Sequence, residues 1–109
     1  MEYLPDRWLM LRLTTDSKSH YRVFATWSGG YLDGDSWKLN SGVIQVTETK
    51  DKYSFHGSSG SLYVCRKNGY GSTGYGFGVL DDSIKRSLEQ GTVIEVLPKE
   101  TDFMSLNYE

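Results

Sequence analysis

The run Arg7-Trp8-Leu9-Met10-Leu11-Arg12-Leu13-Thr14-Thr15 decides the fold, together with the polar Asp16-Ser17-Lys18-Ser19 and the run His20-Tyr21-Arg22-Val23-Phe24-Ala25-Thr26-Trp27 that follow it. In the first run Leu9, Leu11 and Leu13 alternate with Trp8, Met10 and Arg12, which is the two-residue period of a strand. In the second, Tyr21, Val23, Ala25 and Trp27 share one face while Arg22, Phe24 and Thr26 share the other. Two alternating runs joined by a short polar turn predict a β-hairpin.

Working outward, Ser28-Gly29-Gly30 ends the second strand, and a Gly- and Asp-rich loop spans Tyr31 to Ser36. Trp37 and Leu39 fall on a short strand closed by Asn40-Ser41-Gly42. Val43 to Lys50 is a strand rich in β-branched residues, and Lys52 to His56 returns from it after Asp51. Gly57-Ser58-Ser59-Gly60 makes another turn before a strand from Ser61 to Lys67. Gly69-Tyr70-Gly71 recurs as Gly74-Tyr75-Gly76, and so much glycine between Asn68 and Gly78 reads as a loop or irregular edge. A short helix follows near residues 80–90, capped by Asp81 or Asp82, with Ile84 and Leu88 on one face and Gly91 as its stop. Thr92 to Leu97 is the last strand, closed by Pro98.

The fold class this predicts is mainly β (α+β): an antiparallel twisted sheet or small barrel with one short helix. The core draws on Leu9, Leu11, Leu13, Val23, Ala25, Val43, Val46, Leu62, Val64, Ile84, Leu88, Val93 and Ile94. With 109 residues the chain is one domain by size, β-rich over 1–98. The acidic tail, 99–109, carries Phe103, Met104, Leu106 and Tyr108, too much apolar surface for a free end. It is expected to dock on the body or on a partner, the latter giving a two-fold homodimer.

The charge balance, twelve basic against fourteen acidic residues for a net charge of -2, lacks the clustered cations of a duplex-DNA-binding domain. The one cysteine, Cys65, cannot form an internal disulfide or by itself a Cys-rich metal site. Glu2 and Asp6 sit where a secretory signal would be basic and apolar, and no stretch approaches membrane-spanning length. A reduced, cytoplasmic setting without membrane contact is the expectation.

Catalytic motifs are incomplete. Gly69-x-Gly71-x-x-Gly74 has the dinucleotide-binding spacing, but hairpins rather than parallel units precede it, and Tyr75 to Gly78 stand where the helix should already run. Gly74-Tyr75-Gly76-Phe77 resembles the core of the longer signature strand of the RNA-recognition motif, and Leu62-Tyr63-Val64 the shorter. Thr73, Gly78 and Leu80 depart from that pattern, and the two fragments lie too close together for the helix and strand that belong between them. His20, His56 and Cys65 invite a nucleophile–base reading, but no nucleophile elbow is present, and Cys65 falls on a strand face with Tyr63 as a small packed residue. Asp33-Gly34-Asp35 has carboxylates for a hard cation but lacks the further ligands of a calcium loop, so a polar turn is expected. No cofactor and no metal are implied.

The most distinctive string runs from Ala25-Thr26-Trp27-Ser28-Gly29-Gly30-Tyr31 through Asp35-Ser36-Trp37-Lys38-Leu39-Asn40-Ser41-Gly42. Its aromatic and acidic residues around glycine turns have the composition of an interface hot spot. The string resembles W-x-G-G-Y…D-S-W-K/R-L-x-S-G in uncharacterised small proteins of bacteriophages and mobile elements. That resemblance carries no activity and no functional residues. It implies a phage or mobile-element origin, where small proteins bind and inhibit host or defence machinery.

Two functional expectations follow. The first is a non-enzymatic protein-binding module that occludes a host or defence-system protein, with Trp27, Tyr31, Asp33, Asp35, Trp37, Tyr70, Tyr75 and Phe77 as its binding residues. The second is a small-ligand or nucleotide binder, a sponge for a signalling nucleotide, using Tyr70, Tyr75 and Phe77 with Arg66 and Lys67 as anion contacts. A pocket lined by the Gly-Tyr segment favours the second, a flat aromatic surface the first.

Overall fold

The computed structural model describes residues 1–30 and 34–108. The chain order is β1 (Glu2–Tyr3), β2 (Arg7–Thr15), β3 (Lys18–Gly30), β4 (Gly34–Leu39), β5 (Val43–Glu48), β6 (Lys52–Gly57), β7 (Leu62–Arg66), a 3-10 turn (Lys67–Gly69), α1 (Gly74–Glu89) and β8 (Val93–Val96). Two four-stranded sheets form, in the orders β1-β7-β6-β5 and β4-β3-β2-β8. All the strand pairs are antiparallel except β1 with β7. The sheets stay open rather than closing into a barrel.

The β2–β3 hairpin pairs Thr15 with Lys18, so its turn tightens to Asp16 and Ser17, both at positive φ (51° and 67°). That backbone matches the twist of the strands it joins. β2 lies between β3 and β8 in its sheet, and both of its faces are covered, one by the other sheet and one by α1. Trp8 and Met10, with Tyr21, Val23 and Ala25 of β3, meet Val43, Phe55, Tyr63 and Cys65 of the other sheet. Leu9, Leu11 and Leu13, with Phe24, face Leu80 of α1. The molecule thus has three layers: sheet, sheet and helix.

The helix corrects the expected boundary. It begins at Gly74 rather than near residue 80, and its N-cap is Thr73, whose Oγ1 accepts from the Gly76 N–H at 3.0 Å, not Asp81 or Asp82. The second Gly-Tyr-Gly repeat is therefore the first helical turn and not a loop. Gly76 shows why glycine is tolerated there: a Cβ would lie 2.6 Å from Thr26 Cγ2 of β3. Close docking of helix on sheet outweighs the poor helix propensity of glycine. Gly91, at φ 88°, follows the helix at its C-terminal end.

The core also differs from the expected set. Leu88 and Val93 are 62% and 45% exposed. Trp8, Met10, Phe55, Tyr63 and Phe103 carry much of the buried volume instead. Phe103 brings the tail into the first core cluster, where Leu106 and Tyr108 pack beside it. No helix among the described residues is long and apolar enough to cross a membrane.

Candidate ligand-binding cleft

At one end of the inter-sheet core a cleft of about 520 Å³ opens, lined by Arg7, Trp8, Tyr53, Lys67, Asn68, Tyr70, Lys99 and Phe103. Its size lies within the range of small-molecule sites. Four aromatic residues form its inner wall. Trp8 is the centre of the group, with ring centroids 4.7 Å from Tyr70, 5.1 Å from Phe103 and 6.0 Å from Tyr53, each approached edge-on. The Trp8 Nε1–H donates to the Arg66 carbonyl at 2.7 Å, which pins β2 to the end of β7 and fixes the indole. Trp8 and Phe103 are almost wholly buried and give a stiff floor, whereas Tyr53 and Tyr70 are half-buried.

Tyr70 holds its place through its hydroxyl. Leu11 pairs with Val96, so Met10 and Leu97 are the next residues along the β2–β8 ladder. Leu97 N still donates to Met10 O at 3.0 Å. The return bond is replaced by Tyr70, which accepts from Met10 N at 3.1 Å and donates to Leu97 O at 2.5 Å. Burial raises the Tyr70 phenol pKa, partly offset by the Met10 N–H.

Three cations rim the cleft. Lys67 donates to Glu48 at 2.7 Å and stands 4.9 Å from the Tyr53 ring centroid. Its hydrogen bond to Glu48 raises its pKa. Arg7 lies over Gly71, where a Cβ would meet its Nη2 at 3.1 Å, and Gly71 has φ 145°. Among the described residues neither Arg7 nor Lys99 makes an ion pair. The Asn68 side chain also makes no hydrogen bond within the described chain, which leaves an amide donor and acceptor at the mouth. A hydrophobic ring wall beneath unpaired cations suits a planar ring bearing negative charge.

The residues singled out from the sequence are dispersed. Trp27 lies against Tyr3, its Nε1 donating to Leu4 O at 3.0 Å. Asp35 Oδ1 accepts from Gly29 N at 3.0 Å across the β3–β4 hairpin. Trp37 stacks on Phe24 at 5.7 Å, on the helix side of the sheet. Tyr75 and Phe77 are about half exposed, at 51% and 52%, on the first turns of α1. Tyr70 and Lys67 reach the cleft, while Tyr31 and Asp33 lie outside the described residues.

The remaining cleft residues, Arg7, Trp8, Tyr53, Asn68, Lys99 and Phe103, come from five separate places in the chain, so no local sequence pattern marks them as one site. A partial signal existed for Trp8: the nearly unbroken apolar run Trp8 to Leu11 marks a strand covered on both faces.

Other chemistry is arranged for packing. Cys65 is fully buried, and burial pushes its thiol well above the usual range. Burial, aided by Arg22, lowers the His20 pKa, and Arg22 Nε donates to His20 Nε2 at 3.0 Å. Among the described residues no group of three or more His, Cys, Asp or Glu side chains is placed to hold a metal ion. On the far side of the molecule an apolar groove of about 540 Å³ runs between α1 and β8, lined by Phe77, Gly78, Leu80, Asp81, Ile84 and Val96. No protein-family model matches the chain, nor does any curated protein or solved structure.

Proposed function

We propose that the protein is a non-enzymatic ligand-binding β domain that holds a small anionic molecule with a planar ring, of the nucleotide class. The observation that carries this reading is the cleft of about 520 Å³, in which Arg7 and Lys99, without an ion pair among the described residues, line the same space as Trp8, Tyr53, Tyr70 and Phe103. The ring would pack on the half-buried tyrosines, and the anion would meet the cations and the Asn68 amide. Sequestration of a signalling nucleotide would also make such a domain an inhibitor, in keeping with the phage-type string at Trp27 to Gly42.

The test is to purify the protein natively from expressing cells, denature it, and identify released small molecules by mass spectrometry. An anionic ring compound in the wild type, reduced in Arg7→Ala and Lys99→Ala, supports the reading. Equal release from all three, with no effect of either substitution on affinity, contradicts it.

The protein-binding reading rests on a different surface. The groove between α1 and β8 exposes Phe77 and Val96 at 52% and 41%, beside an edge strand. Such a groove suits an extended apolar segment of a partner protein. Loss of partner capture in Phe77→Ser, with small-molecule release unchanged, would favour that reading.

A further inference from the structure

We propose that the ligand of the cleft carries a chain of phosphates, the chemistry of a nucleoside polyphosphate, and that the chain runs into a second cleft beside the first. This rests on the ligand-binding reading above and narrows it. The second cleft, about 240 Å³, is lined by Lys50, Asp51, Lys52, Arg66, Lys67 and Asn68. Lys67 and Asn68 line both clefts, so the two are contiguous.

The charge distribution sets the ligand class. Six of the chain's twelve basic residues line the two clefts, and the acid among the lining residues is Asp51. Glu48 offsets Lys67 alone. The whole chain is nevertheless net negative, at -2, so positive charge is concentrated here against the average. Among the described residues Lys50 and Lys52 make no ion pair. They are held together by the β5–β6 turn, in which Thr49 N donates to Lys52 O at 2.9 Å, and Lys67 N donates to Asp51 O at 2.8 Å to bring the 3-10 turn alongside. Arg66 spends one N–H on Asp6 O at 2.9 Å, which fixes the guanidinium and leaves its other donors free.

Among the described residues the aromatic wall belongs to the first cleft alone, and none of those lining the second is aromatic. That asymmetry orients the ligand. The ring lies against Tyr53 and Tyr70, the first phosphate falls at Lys67 and Asn68, and later phosphates meet Lys50, Lys52 and Arg66. A single phosphate would leave the second group of cations without a counterpart.

The experiment is calorimetric titration with nucleoside monophosphates and triphosphates of all four bases and with inorganic tripolyphosphate. Wild type and the double variant Lys50→Gln/Lys52→Gln are compared, with equal melting temperatures as the check on folding. At least one triphosphate is expected to bind about tenfold or more tighter than its monophosphate, the step that added charge-assisted contacts provide. The double variant should erase that difference and leave monophosphate affinity unchanged.

Equal affinity for mono- and triphosphate overturns the phosphate-chain inference and leaves the parent reading standing. Tripolyphosphate binding as tightly as the triphosphate upholds the chain and overturns the ring. Failure of every probe overturns both, and a single-stranded oligonucleotide that displaces triphosphate at equal phosphate concentration overturns the small-ligand class.

Discussion

The Tyr70 hydroxyl donates to the Leu97 carbonyl at 2.5 Å, joining the segment before α1 to the residue after β8 across 27 positions of sequence. It fills the place in the β2–β8 ladder where the Met10 N–H would otherwise reach Leu97 directly. Tyr70→Phe keeps the ring but strands that N–H and that carbonyl. A loss of roughly 2 kcal/mol in urea denaturation is expected, with an unchanged dependence on denaturant. A change below about 0.5 kcal/mol would mean that water replaces the hydroxyl without cost.

Gly76 and Gly78 are two residues apart in α1 and should respond in opposite directions. A Cβ on Gly76 would sit 2.2 Å from Ser72 Oγ and 2.6 Å from Thr26 Cγ2, and Thr26 is fully buried in β3. Ser72 can rotate away, but Thr26 cannot. Gly76→Ala should therefore destabilise by roughly 1–3 kcal/mol despite the better helix former. A Cβ on Gly78 meets nothing within 4 Å. Gly78→Ala should stabilise by up to about 1 kcal/mol. Melting of both variants gives the comparison, and stabilisation by both would place the helix farther from the sheet.

Phe103 ties the tail to the body. Its ring is 2% exposed and stands 5.1 Å from Trp8, 5.4 Å from Tyr70 and 5.6 Å from Tyr53. Phe103→Ala should cost about 3 kcal/mol or more, and truncation after Pro98 at least as much. A variant within about 1 kcal/mol of wild type would show that the tail is not part of the core.

Alkaline pH should unfold the chain through its tyrosines. Burial pushes the Tyr63 phenol up from 10.0 to about 12, with Tyr3 and Cys65 adding to the shift. The phenolate is disfavoured in the folded state only. This stability is fully present below the unfolded value of 10.0 and is lost as pH rises toward about 12. Burial raises Tyr70 and Tyr108 as well, so the fall is shared. Denaturation midpoints measured across that range should drop, and less steeply in Tyr63→Phe. A flat profile in the wild type would contradict the burial of these rings.

Most strands were legible because their signals are local, whereas the two-residue β1 and the start of β4 at Gly34, read as loop, were not. Alternation in Arg7 to Thr15 marks β2 with its observed limits, and Gly57 to Gly60 marks the β6–β7 turn. The helix start was not legible, because Gly74, Gly76 and Gly78 argue against a helix, and the close approach of Thr26 under Gly76 is set by the fold. The cleft was legible in part: Arg66 and Lys67 end a strand and precede the Gly-Tyr segment, so they read as anion contacts beside Tyr70. Arg7, Lys50, Lys52 and Lys99 are scattered in sequence, and a net charge of -2 averages away their convergence in space. The Gly-Tyr repeat groups Tyr70, Tyr75 and Phe77 in sequence, but the first joins the aromatic wall while the other two ride on the helix.

Electrostatic capture of a nucleotide by the aromatic cleft can be followed residue by residue in a nuclear magnetic resonance titration. With a nucleoside triphosphate added, the Trp8 indole N–H and the backbone amides of Lys67, Asn68 and Tyr70 should shift saturably. Resonances of Phe77, Ile84 and Val96 in the α1–β8 groove should stay in place, and added salt should weaken the effect. Shifts confined to that groove, or none at ligand excess, would contradict the account.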